Sequence, residues 1–149
     1  MILSKKYYQI INEIRQNPYN FINESKSHNL FEIFIKLKPS RPLKFSENDI
    51  LNIVYYLEES QDKVSSVEKE NKIKSMINNG NFSNCCLFQT ITIITIDTDV
   101  KANFWYFLEE NEDDIEKILT INYDYIMIIS IPLNYDKSII TFIFYDEKK

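Results

Sequence analysis

One stretch of this 149-residue chain limits its fold more than any other: Cys85–Ile96, which carries no charge and consists mostly of β-branched and aromatic residues. Branched and aromatic side chains pack well on a pleated surface, so the run is expected to be a β-strand. Its apolar residues alternate only loosely. Both faces should therefore be covered, which places the strand at the centre of a sheet. Two further runs of the same character, Tyr125–Ile131 and Ser138–Tyr145, supply its partners, and Pro132 with Asn134-Tyr135-Asp136 marks a hairpin between them. A three-stranded sheet packed with helices is the expected arrangement.

The helices announce themselves by spacing and punctuation. Ser4 is placed to cap a first helix whose Tyr7, Tyr8, Ile10, Ile11 and Ile14 lie mostly on one face. Asn17-Pro18 interrupts it, since proline lacks a backbone donor and disfavours helical geometry in the residue before it; Phe21 and Ile22 then carry a shorter continuation to about Glu24. A turn is expected over Ser25–Asn29, and the ambiguous run Leu30–Leu37 leans towards helix before Pro39 and Pro42 end it. Ser46 with Asp49 resembles a capping box ahead of Ile50, Leu51, Ile53, Val54 and Leu57. Ser65 with Glu68 does the same ahead of Val67, Ile73 and Met76. The stop of that second helix is Gly80, the only glycine in the chain. Asp97-Thr98-Asp99 opens a helix over Val100–Leu108, where Trp105 is expected to anchor the core between helix and sheet. Glu109–Asp114 continues that helix or forms a loop, and Ile115–Leu119 adds one more helical turn or two.

Composition removes several classes of function. With 22 Asp and Glu against 17 Lys and Arg, the net charge of -5 gives no general attraction to phosphate backbones, so nucleic acid is not the expected partner. A single glycine rules out the glycine-rich loops that cradle nucleotide phosphates. No stretch approaches the ~20 apolar residues of a membrane span, and the amino terminus lacks the apolar core of a secretory signal. Cys85 and Cys86, the only cysteines, are adjacent, and disulfide geometry resists so short a ring. A cytoplasmic setting with both thiols reduced follows as the expectation. His28, the one histidine, sits in a polar stretch without a partner in sequence to make it a base. The acidic run Glu109–Asp114 lacks the glycine and alternating ligands of a calcium loop.

Four segments share the order of a known family. Asn12-Glu13-Ile14-Arg15-Gln16-Asn17-Pro18-Tyr19-Asn20-Phe21-Ile22 resembles the first-helix signature of the CAP superfamily, the SCP-like domains of cysteine-rich secretory and plant pathogenesis-related proteins. Pro42-Leu43-Lys44-Phe45-Ser46 resembles the entry to that family's second helix, Val100–Leu108 its tryptophan-bearing helix, and Ile118–Ile126 the approach to its penultimate strand. The resemblance implies a single SCP-like domain over residues 1–149. Its fold would be α+β: an α-β-α sandwich with a small, mainly antiparallel three-stranded sheet covered by helices on both faces.

For chemistry, the same resemblance implies a degenerate cleft. Where typical members hold a divalent metal with two histidines and two acids, Tyr56 or Leu57 stands at the first histidine, Gln89 at a glutamate and Asp114 near the second histidine. That set is a poor zinc site, so no metal, no cofactor and no catalytic residue is expected. What remains is a non-enzymatic binding or interaction module, with an unknown protein or an apolar small molecule as partner; the family is known to hold lipids or sterols. A metal-dependent or hydrolytic enzyme and an unrelated intracellular α+β interaction protein stay open as alternatives.

Overall fold

The element borders of this α+β chain follow from local chemistry. In the computed structural model, which describes residues 2–24, 28–46, 50–61, 63–76, 82–93, 99–120 and 123–147, the order is α1 (Ile2–Gln16), a 3-10 helix (Pro18–Glu24), α2 (His28–Phe34), β1 (Lys44–Phe45), α3 (Ile50–Glu59), α4 (Ser66–Met76), β2 (Phe82–Ile93), α5 (Val100–Glu110), a 3-10 turn (Glu112–Asp114), α6 (Ile115–Leu119), β3 (Tyr125–Pro132) and β4 (Lys137–Glu147). These group into two compact units, Met1–Leu43 with Asp97–Asn122 and Lys44–Ile96 with Tyr123–Lys149.

The first unit is helical. Tyr7, Ile11 and Ile14, at the i, i+4, i+7 spacing of one helix face, are fully buried on α1, which packs against α5 and α6. Ser4 lies inside α1 and is buried, so it does not cap the helix as its position suggests. The break at Pro18 is as expected: the Asn17 amide makes the last α-type bond to the Glu13 carbonyl, and a 3-10 helix begins at the proline. His28 opens α2 rather than lying in a turn; it faces Glu32 at 3.5 Å, and both side chains are exposed. Residues 25–27 lie outside the described residues. Asp99 caps α5, its Oδ1 accepting from the Ala102 amide at 3.0 Å.

Three side chains of α1 fasten the segment that precedes β1. The Asn12 amide side chain accepts from the Leu43 N–H at 2.8 Å and donates to the Leu43 carbonyl at 3.1 Å, where the Tyr8 hydroxyl also donates at 2.8 Å. One turn on, the buried Arg15 guanidinium donates from Nε and Nη2 to the Arg41 carbonyl and from Nη1 to the Ile118 carbonyl at 3.1 Å. Burial, and secondarily the charge of Arg41, lowers the Arg15 pKa to about 10. It remains a cation at neutral pH and donates to backbone oxygens of two segments.

The second unit is built on a four-stranded mixed sheet in the order β1-β3-β4-β2. The three strands read from sequence do form its antiparallel part, with Met127, Ile143 and Leu87 in one row across it. The fourth strand corrects the expected count: Lys44–Phe45 pairs parallel with Tyr125–Ile126. A two-residue strand has no periodicity to read, and it forms because the Lys44 and Ser46 amides find the Asp124 and Ile126 carbonyls at 2.9 Å. Ser46 is thereby drawn into the sheet, its hydroxyl hydrogen-bonded to the buried Tyr145 hydroxyl. Its expected capping partner, Asp49, lies outside the described residues, as do Gly80 and residues 94–96 of the run that opened the sequence.

The position of β2 is the second correction. It is an edge strand, and β3 and β4 are the inner ones, with β4 its only neighbour. Every residue from Ile140 to Tyr145 is buried, whereas Phe88, Gln89 and Thr90 of β2 are only half-buried and Ile91 is 61% exposed. Helices α3 and α4 cover one face, where Ile53, Leu57 and Ile73 meet Cys85, Leu87, Met127, Ile129, Ile131, Ile143 and Tyr145. On the opposite face Ile126, Ile128, Ile140, Phe142 and Phe144 are buried as well. The hairpin between β3 and β4 is held by Asn134, whose side-chain oxygen accepts from the Asp136 and Lys137 amides.

Candidate functional site

A helix that gives one face to a core presents the other to whatever lies beside it. Ser65 caps α4 through the Glu68 amide at 3.2 Å, and Ile73 points into the core; Lys72, Ser75 and Met76, at i, i+3 and i+4, then fall on the side towards α3. On α3 the residues between the buried Ile53 and Leu57 and beyond them, Asn52, Tyr55, Tyr56 and Glu59, follow the same logic. Together these seven residues line an open groove of about 470 Å³ between the two helices. Tyr55 is 62% exposed, Tyr56 is partly buried against the core, and Glu59 and Lys72 put opposite charges into one lining. Such a surface can hold an extended side chain or a short segment of another protein. It offers no enclosed apolar chamber for a lipid.

Of the four positions implied by the family resemblance, only Tyr56 lines this groove. Leu57, its neighbour, turns into the core with Ile53 and Ile73. Gln89 is occupied inside the sheet unit: its Nε2 donates to the fully buried Thr141 hydroxyl at 2.9 Å, and its Oε1 accepts from the buried Lys69 ammonium at 3.4 Å. Asp114 belongs to the helical unit, 4.0 Å from Lys117 one turn on. Among the described residues no three His, Cys, Asp or Glu side chains gather as a metal site.

Sequence reasoning passed over Lys69, Glu70 and Lys72. Their spacing within a capped helix was legible, but that α4 runs along β2 and beside α3 was not. Glu70 accepts from the Leu87 amide at 2.9 Å, so a side chain of α4 satisfies a backbone donor on the edge of the sheet. That carboxylate also bears on Cys85. Burial first, and Glu70 second, push the Cys85 thiol from an ordinary 9.0 up to about 12, and burial followed by Cys86 raises Tyr123. Neither cysteine is in a disulfide, and a thiol held protonated this way is an inert packing group at neutral pH.

An alkaline instability follows. The folded protein keeps a proton on Cys85 that the unfolded chain releases above pH 9, so this contribution is complete below 9 and is lost as pH rises to about 12. The slope from this group is at most ~1.4 kcal/mol per pH unit. Denaturant unfolding from pH 8 upward should show stability falling from about pH 9 in the wild type. In Cys85→Val the fall should start later, where Tyr123 begins to contribute. Identical profiles for the two proteins would refute the assignment.

In comparisons with known proteins, the chain matches no family model and no curated protein sequence. Among the described residues no helix is long and apolar enough to cross a membrane.

Proposed function

We propose that this chain is a non-enzymatic binding module that works through the α3–α4 groove, on a degenerate SCP-like fold. The observation that carries the reading is the groove itself: paired tyrosines beside a glutamate and a lysine, in an open lining, present aromatic area with polar anchors. A protein segment suits that lining better than an apolar small molecule. Hydrogen bonds between the segments that carry the family resemblance support the fold assignment. Asn12 and Arg15, from the first-helix signature, hold the backbone of Arg41 and Leu43 around the second motif. Helices α3 and α4, packed on one face of the sheet, support that layer of the sandwich. Two cysteines outside any disulfide fit a cytoplasmic setting.

Thermal unfolding of the full chain with a chelator, and again with added zinc, tests the reading. A resident metal that binds only the folded state would raise the midpoint. The expected change on chelation is under about 1 °C. A fall of several degrees, restored by zinc, would overturn the proposal and return the chain to the metal-dependent alternative.

A further inference from the structure

The edge of the sheet carries an inference independent of the groove. In an antiparallel ladder the N–H and C=O of one residue point to the same side and those of the next residue to the other. The Leu87 amide is taken by Glu70, a side chain of α4 and not part of β4, so the odd-numbered residues of β2 present their backbone groups away from β4. The outward row therefore runs through Cys85, Leu87, Gln89, Ile91 and Ile93. Glu70 closes it at Leu87. Beyond that point, among the described residues, nothing accepts from the Gln89 or Ile91 amide.

Such a row of groups at strand spacing is complementary to another β-strand. We propose that a second copy of this chain supplies it, with the two β2 strands pairing antiparallel about a twofold axis at Ile91. Three features favour self-pairing. From Leu87 to Ile93 the strand is Leu-Phe-Gln-Thr-Ile-Thr-Ile, so two chains that each carry a net charge of -5 meet here without charge on either strand. The strand itself carries no proline, lysine or other charge to blunt its edge there; the nearby charges, Glu70 at Leu87 and Lys69 at Gln89, come from α4 and leave Ile91 and Ile93 unguarded by them. Ile91, 61% exposed, would lie directly opposite its own copy, so the pairing buries the apolar side chain that the isolated edge leaves in water. With the axis at Ile91, the two Ile91 residues exchange backbone hydrogen bonds with each other and Gln89 does so with Ile93.

Sedimentation velocity over a concentration series, with hydrogen exchange on the same samples, tests this. The wild-type chain should self-associate to a dimer, and protection of the Gln89 and Ile91 amides should rise with concentration. Ile91→Pro removes an outward donor that makes no bond to β4, and Ile91→Lys places like charges across the axis. Each should weaken dimerisation by about tenfold or more while the far-ultraviolet circular dichroism is kept. If the proline variant loses its fold, the lysine variant decides. A wild-type chain that stays monomeric at concentrations up to on the order of 0.5 mM would overturn the proposal. So would a dimer that neither substitution weakens, or a monomer that instead takes up an uncharged strand peptide, which would assign the edge to a different protein.

Discussion

Trp105→Ala should cost about 3–5 kcal/mol of unfolding free energy, the range for truncating a large buried aromatic. The indole is 9% exposed on α5 and lies against Phe34 of α2, ring centroids 5.1 Å apart, so alanine would leave a cavity that two helices must collapse to fill. Phe34 belongs to another helix of the same unit. Trp105→Phe separates ring from donor. Phenylalanine keeps the contact with Phe34 and removes an indole N–H that is buried without an acceptor among the described residues, so its cost should stay below about 1.5 kcal/mol. Urea unfolding monitored by circular dichroism measures both. Because Trp105 is the only tryptophan, wild-type fluorescence should also be blue-shifted from that of exposed indole, and an emission maximum typical of water would place it on the surface.

Arg15→Ala should be comparably damaging, at about 3–5 kcal/mol, for a different reason. The side chain is 1% exposed and donates to the Arg41 and Ile118 carbonyls, so its loss removes hydrogen bonds to two separate segments and leaves a void. The cation itself is costly to bury, as its lowered pKa records. Arg15→Met refunds that desolvation and fills most of the volume, and should recover part of the loss, to about 2–3 kcal/mol. Arg15→Lys should do little better than methionine, because a single ammonium cannot reproduce the planar fork that reaches Arg41 and Ile118 together. A lysine variant as stable as wild type would show that charge and not geometry holds these segments.

How far the candidate site could be read in advance differs residue by residue. Tyr56, which the family resemblance singles out, lines the groove, but that resemblance says nothing of Tyr55, Glu59 and Lys72 beside it. Gln89, which the resemblance places in a cleft, is a structural link between Lys69 and Thr141. A side chain with both a donor and an acceptor can serve either purpose, and only its neighbours, 20 and 52 residues away in sequence, decide which.

What the sequence by itself determined is what depends on neighbours along the chain. Asn17-Pro18 ends α1 because proline has no amide to give; Ser65 and Asp99 start helices because their oxygens reach amides three residues on; and Asn134 turns the β3–β4 hairpin by binding Asp136 and Lys137. Each is a contact of short range, fixed before any packing. Strand order is of another kind. That β4 and not β2 became an inner strand, and that Lys44–Phe45 joined as a parallel strand, rests on pairings such as Phe45 with Ile126 and Cys85 with Tyr145. The run Cys85–Ile96 has strand chemistry whether one neighbour or two stand beside it, since β-branched side chains report a pleated surface and say nothing of which edge is filled. Only the tertiary structure, by returning the chain to one side of β4 with β3 and to the other with β2, left that edge open.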